Sequence, residues 1–212
     1  MGGTADKIRK FVMTKIEWLE ETSNNIADCN NCERLRAVTP YPMSHICYGS
    51  LSKVKLFFVG RNPGLENDHN KISREEFVEK YHDLWWDCNL GKYLRKNFGE
   101  LLIKENMFFS NVNKCSSPEN SKLTEEEKRN CLPFLETQLE IIKPSTIVTF
   151  GVEAKETIKS LNLQNMDIIN LMHPAYFAYN KDFSLVRKQY KAILKIRNKY
   201  EENTSTWYTG NK

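Results

Sequence analysis

Four of the six cysteines fall where thiolate chemistry could be shared: Cys29 and Cys32 in a Cys-x-x-Cys turn, and Cys115 and Cys131 on either side of a loop and a helix start. Two thiolates from one tight turn suit a common metal centre, and a four-thiolate set suits either zinc or an iron–sulfur cluster. The plainer reading is a chance pair plus two core cysteines, since free cysteine is among the most buried residue types. Cys47 and Cys88 match no ligand pattern and read as packing residues. Three other points could do chemistry: the turn Gly60-Arg61-Asn62-Pro63-Gly64, the amide of Asn111 and the imidazole of His173-Pro174. Each has an ordinary alternative, because Asn-Pro-Gly is a common turn, a strand-end Asn can cap a turn, and a His-Pro step can be structural.

These residues need elements to position them. Val54–Val59, Met107–Val112, Thr146–Phe150 and Asp167–Leu171 are short apolar, β-rich runs that read as buried parallel strands. Helical patterns lie around and between them. Residues 6–27 carry Ile8, Phe11, Val12, Ile16 and Leu19 at helical spacing. Thr124 with Glu127 forms a capping box for a helix to about residue 142 that carries Cys131, Leu135, Leu139 and Ile142 on one face. Glu153–Leu161 and Leu185–Tyr200 are further helices. The alternation predicts a three-layer αβα fold with a central, mainly parallel four-stranded sheet, one domain over residues 1–200 and a flexible polar tail over 201–212. In such sheets the working crevice lies beyond the carboxyl ends of the strands. Gly60 to Leu65, Asn111 to Cys115, Gly151, and Met172 to Pro174 all follow strands, so they should converge.

Bulk properties bound the reading without deciding it. A chain of 212 residues, 40% of them hydrophobic, can bury one sizeable core. A net charge of +4, from 31 basic and 27 acidic residues, permits a polyanionic partner without demanding one. No apolar run suggests a membrane span and the first residues show no apolar signal region, so the expectation is a cytoplasmic protein with no membrane partner. In a reducing compartment, clustered cysteines favour metal binding or catalysis over disulfides.

The ordered set of these segments resembles the uracil-DNA glycosylase superfamily, and within it the family 4 enzymes that carry a 4Fe–4S cluster. The resemblance rests on Cys29-Asn-Asn-Cys32-Glu-Arg-Leu, Gly60-Arg-Asn-Pro-Gly64, Ser110-Asn111-Val-Asn-Lys-Cys115-Ser-Ser-Pro-Glu-Asn120, Cys131-Leu-Pro-Phe-Leu-Glu-Thr-Gln138, Lys143 to Gly151, and His173-Pro-Ala-Tyr176. It departs at the first motif. Family 4 enzymes usually have Gly-Glu-Ala-Pro-Gly there, whereas Arg61-Asn62 makes this motif similar to that of the mismatch-specific uracil- and thymine-DNA glycosylases. The resemblance implies a 4Fe–4S cluster on Cys29, Cys32, Cys115 and Cys131, in preference to zinc, with a structural role near the DNA.

It also implies a monomeric repair glycosylase acting on uracil-containing or mispaired DNA. The nucleotide is flipped out, the base departs as an anion, and water reaches C1′ of a cation-like sugar. His173 would donate to the departing base, Asn62 would orient the water with Glu66 and Asp68 as acidic alternatives, and Asn111 would read the base edge. Gly60, Arg61 and Asp68 would complete the substrate-binding wall, with a stacking aromatic from Tyr81 to Trp86. Backbone N–H groups near Gly64 and Gly151, and Lys181, Arg187 and Lys188, could contact phosphate, although such cations commonly line a solvated helix face. Two alternatives stand beside this one: a shifted or broader substrate, such as thymine opposite guanine or hypoxanthine, and a weakly catalytic, cluster-bearing DNA-binding protein.

Overall fold

The computed structural model describes residues 13–64, 73–179 and 183–205. Helix α1 (Lys15–Ala27) starts at a Thr14–Glu17 capping box, and short α2 (Glu33–Arg36) follows Cys32. Strand β1 (Ile46–Cys47) precedes β2 (Leu56–Gly60). Helices α3 (Arg74–Asp87), α4 (Asn89–Phe98) and α5 (Glu100–Asn106) lead to β3 (Met107–Asn111). A 3-10 turn (Pro118–Asn120) and α6 (Glu125–Ile142) lead to β4 (Thr146–Phe150), then α7 (Val152–Ser160) and β5 (Asp167–Leu171). Helices α8 (Pro174–Tyr179) and α9 (Phe183–Ser205) complete the described chain.

The sheet order is β1-β3-β2-β4-β5, with β1 antiparallel to β3 and every other pairing parallel. The four runs expected from sequence are the four parallel strands; β2, β3 and β4 are buried throughout, whereas β5, also expected to be buried, is an edge strand exposed at Asp167, Ile168 and Asn170. The expectation of four strands in all is corrected to five, because β1 is a two-residue edge strand with too little pattern to read. Helix α6 starts at its expected cap, where Thr124 Oγ1 accepts from Glu127 N at 3.1 Å and Glu127 returns the bond to Thr124 N at 2.8 Å. Helix α9 runs to Ser205, into the segment assigned to a tail; residues 206–212, and the start of the helix expected from residue 6, lie outside the described residues.

Strand side chains alternate between two cores, so the sheet is covered on both faces. Phe58, Phe109, Val148 and Phe150 pack with α4, α5 and α9, while Phe57, Val59, Phe108 and Ile147 pack against α1, α6 and α7. Each buried Phe or Val contributes about 1.5–3 kcal/mol, and this two-sided burial holds the strand ends rigidly in register. Gly60 pairs with Asn111 across β2 and β3, and Thr149 with Asn170 across β4 and β5. Parallel order therefore sends all four carboxyl ends to one side. A third, smaller cluster of Leu35, Cys115 and Leu123, with Cys32 against it, joins the N-terminal segment to the loop after β3.

Candidate active site

A cleft of about 750 Å³ opens at those carboxyl ends, within the range of small-ligand sites. Gly60, Arg61, Asn62, Asn111, Gly151 and His173 all line it, so four separate strand ends meet as expected. The absence of a side chain at Gly60 has a definite cause. A Cβ there would lie 2.4 Å from Asn111 Oδ1 and 3.2 Å from Phe109 Cζ, so the Asn111 amide occupies the space that a larger residue would fill. Asn111 is 5% exposed, and its side chain has no hydrogen-bond partner among the described residues. Its backbone carbonyl is fixed from behind by fully buried Lys114, whose Nζ donates to Asn111 O at 2.7 Å, Ser110 Oγ at 2.6 Å and Gln138 Oε1 at 2.8 Å. Burial brings the Lys114 ammonium down to about 7, opposed by the nearby Cys131.

His173 follows β5, and its Nδ1 accepts from Ala175 N at 3.2 Å. That bond puts the proton of a neutral imidazole on Nε2. Desolvation, then the charge of Arg61, lowers the His173 pKa from the ordinary histidine value, so the neutral donor form dominates near neutrality. Gly151, at φ 86°, makes the left-handed step that turns β4 into α7 and brings Glu153 into the cleft wall.

Arg61 organises the first motif. Its Nε donates to Asn62 Oδ1 at 2.6 Å and lies 3.4 Å from Glu153 Oε2. Its Nη2 donates to Asn120 Oδ1 at 2.8 Å and Asn120 O at 3.2 Å. The Asn62 amide in turn donates to Pro63 O at 3.1 Å and Ser117 Oγ at 3.3 Å. The receiving loop is held in an uncommon form, with Glu119 at φ 51° and Asn120 at φ 58°. Asn tolerates that region well, whereas Glu does so at a cost of order 1 kcal/mol, and the result is two aligned acceptors for one guanidinium.

Among the described residues, three aromatics line the cleft: Trp85, Phe109 and Phe150. Trp85 comes from the expected stretch, but Trp86 instead packs beneath Arg95, 4.3 Å from its ring centroid, and the Tyr81 side chain lies outside the described residues. Glu66, Asp68 and Lys181 also lie outside them, and Arg187 and Lys188 are exposed on α9. Glu153, Asn120, Phe109 and Phe150 are among the wall residues that sequence reading missed. Glu153 had a usable signal, since it stands two residues beyond Gly151, one of the four strand-end points.

Cys29, Cys32 and Cys115 come from the two segments joined by the third cluster, and Cys131 comes from helix α6. The charges of Cys29, Cys32 and Cys131 all act on Cys115, and burial, the largest influence, raises its thiol to about 12. Burial also raises Cys32 and Cys131, opposed by Asn130 Nδ2 at 3.6 Å from Cys32 Sγ and by Lys114 N at 3.5 Å from Cys131 Sγ. Arg34, next to Cys32 along the helix, grips Glu127 of α6 with Nε at 2.8 Å and Nη2 at 2.7 Å. Among the described residues, no three His, Cys, Asp or Glu side chains stand close enough to share a single metal ion. Cys47 and Cys88 serve locally, Cys47 Sγ donating to Gly49 O at 3.4 Å and Cys88 Sγ capping α4 through Gly91 N at 3.4 Å.

The layered sheet, with a cleft at the carboxyl ends of its strands, defines an α/β protein whose candidate site lies at the topological switch point of an open parallel sheet. The profile of the Uracil DNA glycosylase superfamily matches residues 47–198. A type-4 uracil-DNA glycosylase of Archaeoglobus fulgidus is 31% identical over 147 residues, 69% of this chain and 66% of that protein. One from Thermotoga maritima is 30% identical over 188 residues, 82% of this chain and 90% of that protein. One from Saccharolobus solfataricus is 30% identical over 132 residues, and this chain spans 55% of it, so two of these three relatives are matched over less than two thirds of their length. The chain therefore belongs to the uracil DNA glycosylase superfamily, in its type-4 branch. No helix among the described residues is long and apolar enough to cross a membrane.

Proposed function

We propose that this chain is a monofunctional uracil-DNA glycosylase of base-excision repair, working as a single-domain, intracellular monomer on uracil-containing DNA. The observation that carries the reading is the pairing, in one cleft, of an unpartnered Asn111 amide with a His173 ring whose proton is directed to Nε2. The names of the relatives, all type-4 uracil-DNA glycosylases, support it.

A uracil flipped into the cleft offers N3–H as donor and O4 as acceptor. Asn111 Oδ1 accepts the first and Nδ2 donates to the second; cytosine, with an acceptor at N3 and an amine at C4, would oppose both bonds. Trp85, Phe109 and Phe150 supply the apolar and stacking surface. As the C1′–N1 bond breaks, its electron pair goes to the base, and His173 Nε2–H donates to the oxygen on which that charge collects. Donation from a neutral imidazole suffices, because the base leaves as an anion. The oxygen of a water held by Asn62 bonds to C1′ and loses one proton to solvent while the uracil anion takes one up, giving an abasic site and free uracil. Asn62 Oδ1 already accepts from Arg61, so its remaining acceptor site orients the water without deprotonating it.

Cys29, Cys32, Cys115 and Cys131 would hold a 4Fe–4S cluster, and the donor set fits one. All four donors are soft thiols, and Cys29, Cys32 and Cys131 all act electrostatically on Cys115, a donor chemistry that suits an iron–sulfur core. When bound, the cluster supplies a covalent tie between the N-terminal segment and the loop after β3, with no part in the bond-breaking step. That loop continues into Ser116 and Ser117, which bond Gly64 and Asn62, so order at the cysteines favours order in the first motif.

The test is incubation with a labelled oligonucleotide containing one uracil, followed by alkali. Strand scission at uracil, lost in Asn111→Ala, supports the reading. Product only from a G:T duplex would move it to a mismatch glycosylase, and binding without product would leave a DNA-binding protein.

A further inference from the structure

The cleft contains a carboxylate to which the mechanism above gives no task. Glu153 Oε2 is buried, lines the cleft wall, and has no hydrogen-bond partner among the described residues. Among the described residues its ion-pair partner is Arg61, with Nε at 3.4 Å, and that N–H already donates to Asn62 at 2.6 Å. A buried carboxylate oxygen without a donor is costly, and its retention calls for a reason. Asn62 Oδ1 and Glu153 Oε2 lie 2.6 and 3.4 Å from the same Arg61 Nε, so one water in the cleft can donate one O–H to each oxygen. An amide cannot take the proton that this water must lose, and a carboxylate can. The Arg61 charge also opposes the cation that forms at C1′, and a carboxylate beside it offsets that opposition.

Building on the glycosylase reading, we propose that Glu153 is the catalytic carboxylate of this site: it receives the proton of the attacking water and faces the cationic sugar. In the balanced step, the water oxygen bonds to C1′, the C1′–N1 pair leaves with uracil, and one water proton passes to Glu153 Oε2. The protonated Glu153 then returns that proton to the uracil anion or to solvent, which restores the carboxylate. Arg61 is a positioning residue that holds Asn62 and Glu153 against one another.

The experiment compares wild type with Glu153→Gln and Glu153→Asp in two assays: single-turnover release of uracil, and binding to duplexes with a pyrrolidine abasic analogue, cationic at neutral pH, or its neutral tetrahydrofuran counterpart. Glu153→Gln is expected to slow release about 100-fold and to lose about tenfold of the preference for the cationic analogue, with tetrahydrofuran binding retained as a check of folding. Glu153→Asp keeps the charge and should recover most of the preference. In an Arg61→Gln background, Glu153→Gln should still slow release; if it adds nothing there, Glu153 is only the counter-ion of Arg61 and the proposal is overturned. A Glu153→Gln protein as fast as wild type overturns it, and so does one that is slow with its preference for the cation intact. Wild-type protein that releases no uracil removes the glycosylase reading, and this assignment with it, a result separate from an active wild type that ignores Glu153.

Discussion

Replacing Gly60 with alanine tests how the cleft reads a base. The new methyl carbon would stand 2.4 Å from Asn111 Oδ1, where an ordinary contact needs roughly 1 Å more. Phe109 Cζ, at 3.2 Å, blocks retreat on that side. The Asn111 backbone cannot yield, because it is paired in register with β2 and its carbonyl is held by Lys114. The amide must therefore swing away from its reading position, while the strand gains a residue that suits it slightly better than glycine. The loss is that of a two-point base contact, about 1–3 kcal/mol, or roughly 5- to 150-fold in single-turnover uracil release. Thermal unfolding should move by only a few degrees. Asn111→Ala should give the same loss, and the double variant no more than either alone, because both remove one contact. Uracil release at the wild-type rate by Gly60→Ala would refute the reasoning.

Other expectations follow from the same geometry. His173→Ala should lower turnover about 10²- to 10³-fold while changing affinity for uracil-containing duplex little, as measured by single-turnover kinetics beside fluorescence anisotropy; equal losses in both would make His173 a binding residue. Glu127 is held below the ordinary glutamate range, chiefly by its bonds from Arg34, so the stability it contributes is present above that range and lost as pH falls through its folded-state value. Glu127→Gln should accordingly cost about 2 kcal/mol at neutral pH and much less in acid, read by denaturant unfolding at both pH values. Purified protein should be brown with broad visible absorption, and Cys115→Ser should abolish both and slow uracil release by loosening the Ser116–Gly64 and Ser117–Asn62 ties; unchanged absorption would remove Cys115 from the ligand set.

Much of the frame was legible because β2, β3 and β4 are largely apolar runs with turn residues after them, and two-sided burial leaves that signature in any sequence, whereas β5 is an edge strand with Asp167, Ile168 and Asn170 exposed. Their carboxyl ends then locate Gly60, Asn111 and His173 without further information. Strand β1 was not legible, since two residues carry no periodicity and Ile46–Cys47 joins the sheet only because Phe109 and Phe108 present an open edge. Gly60 read as a turn glycine, although its tighter constraint is the Asn111 side chain across the strand, a contact between residues far apart in the chain. Arg61 likewise read as a departure from a motif. Its partners Asn120 and Glu153 come from two other loops, and only the folded chain shows that this guanidinium gathers an amide, a carbonyl and a carboxylate. The acidic residues near the turn, Glu66 and Asp68, drew attention by proximity in sequence, while the carboxylate in the described cleft comes from the start of α7.

The most direct measurement counts the released base. Wild-type protein incubated with a duplex containing one uracil should release free uracil, detected by mass spectrometry, in equal amount to the abasic sites formed, with none from the matched cytosine or thymine duplex. Stable binding of that duplex with no free uracil would contradict the account.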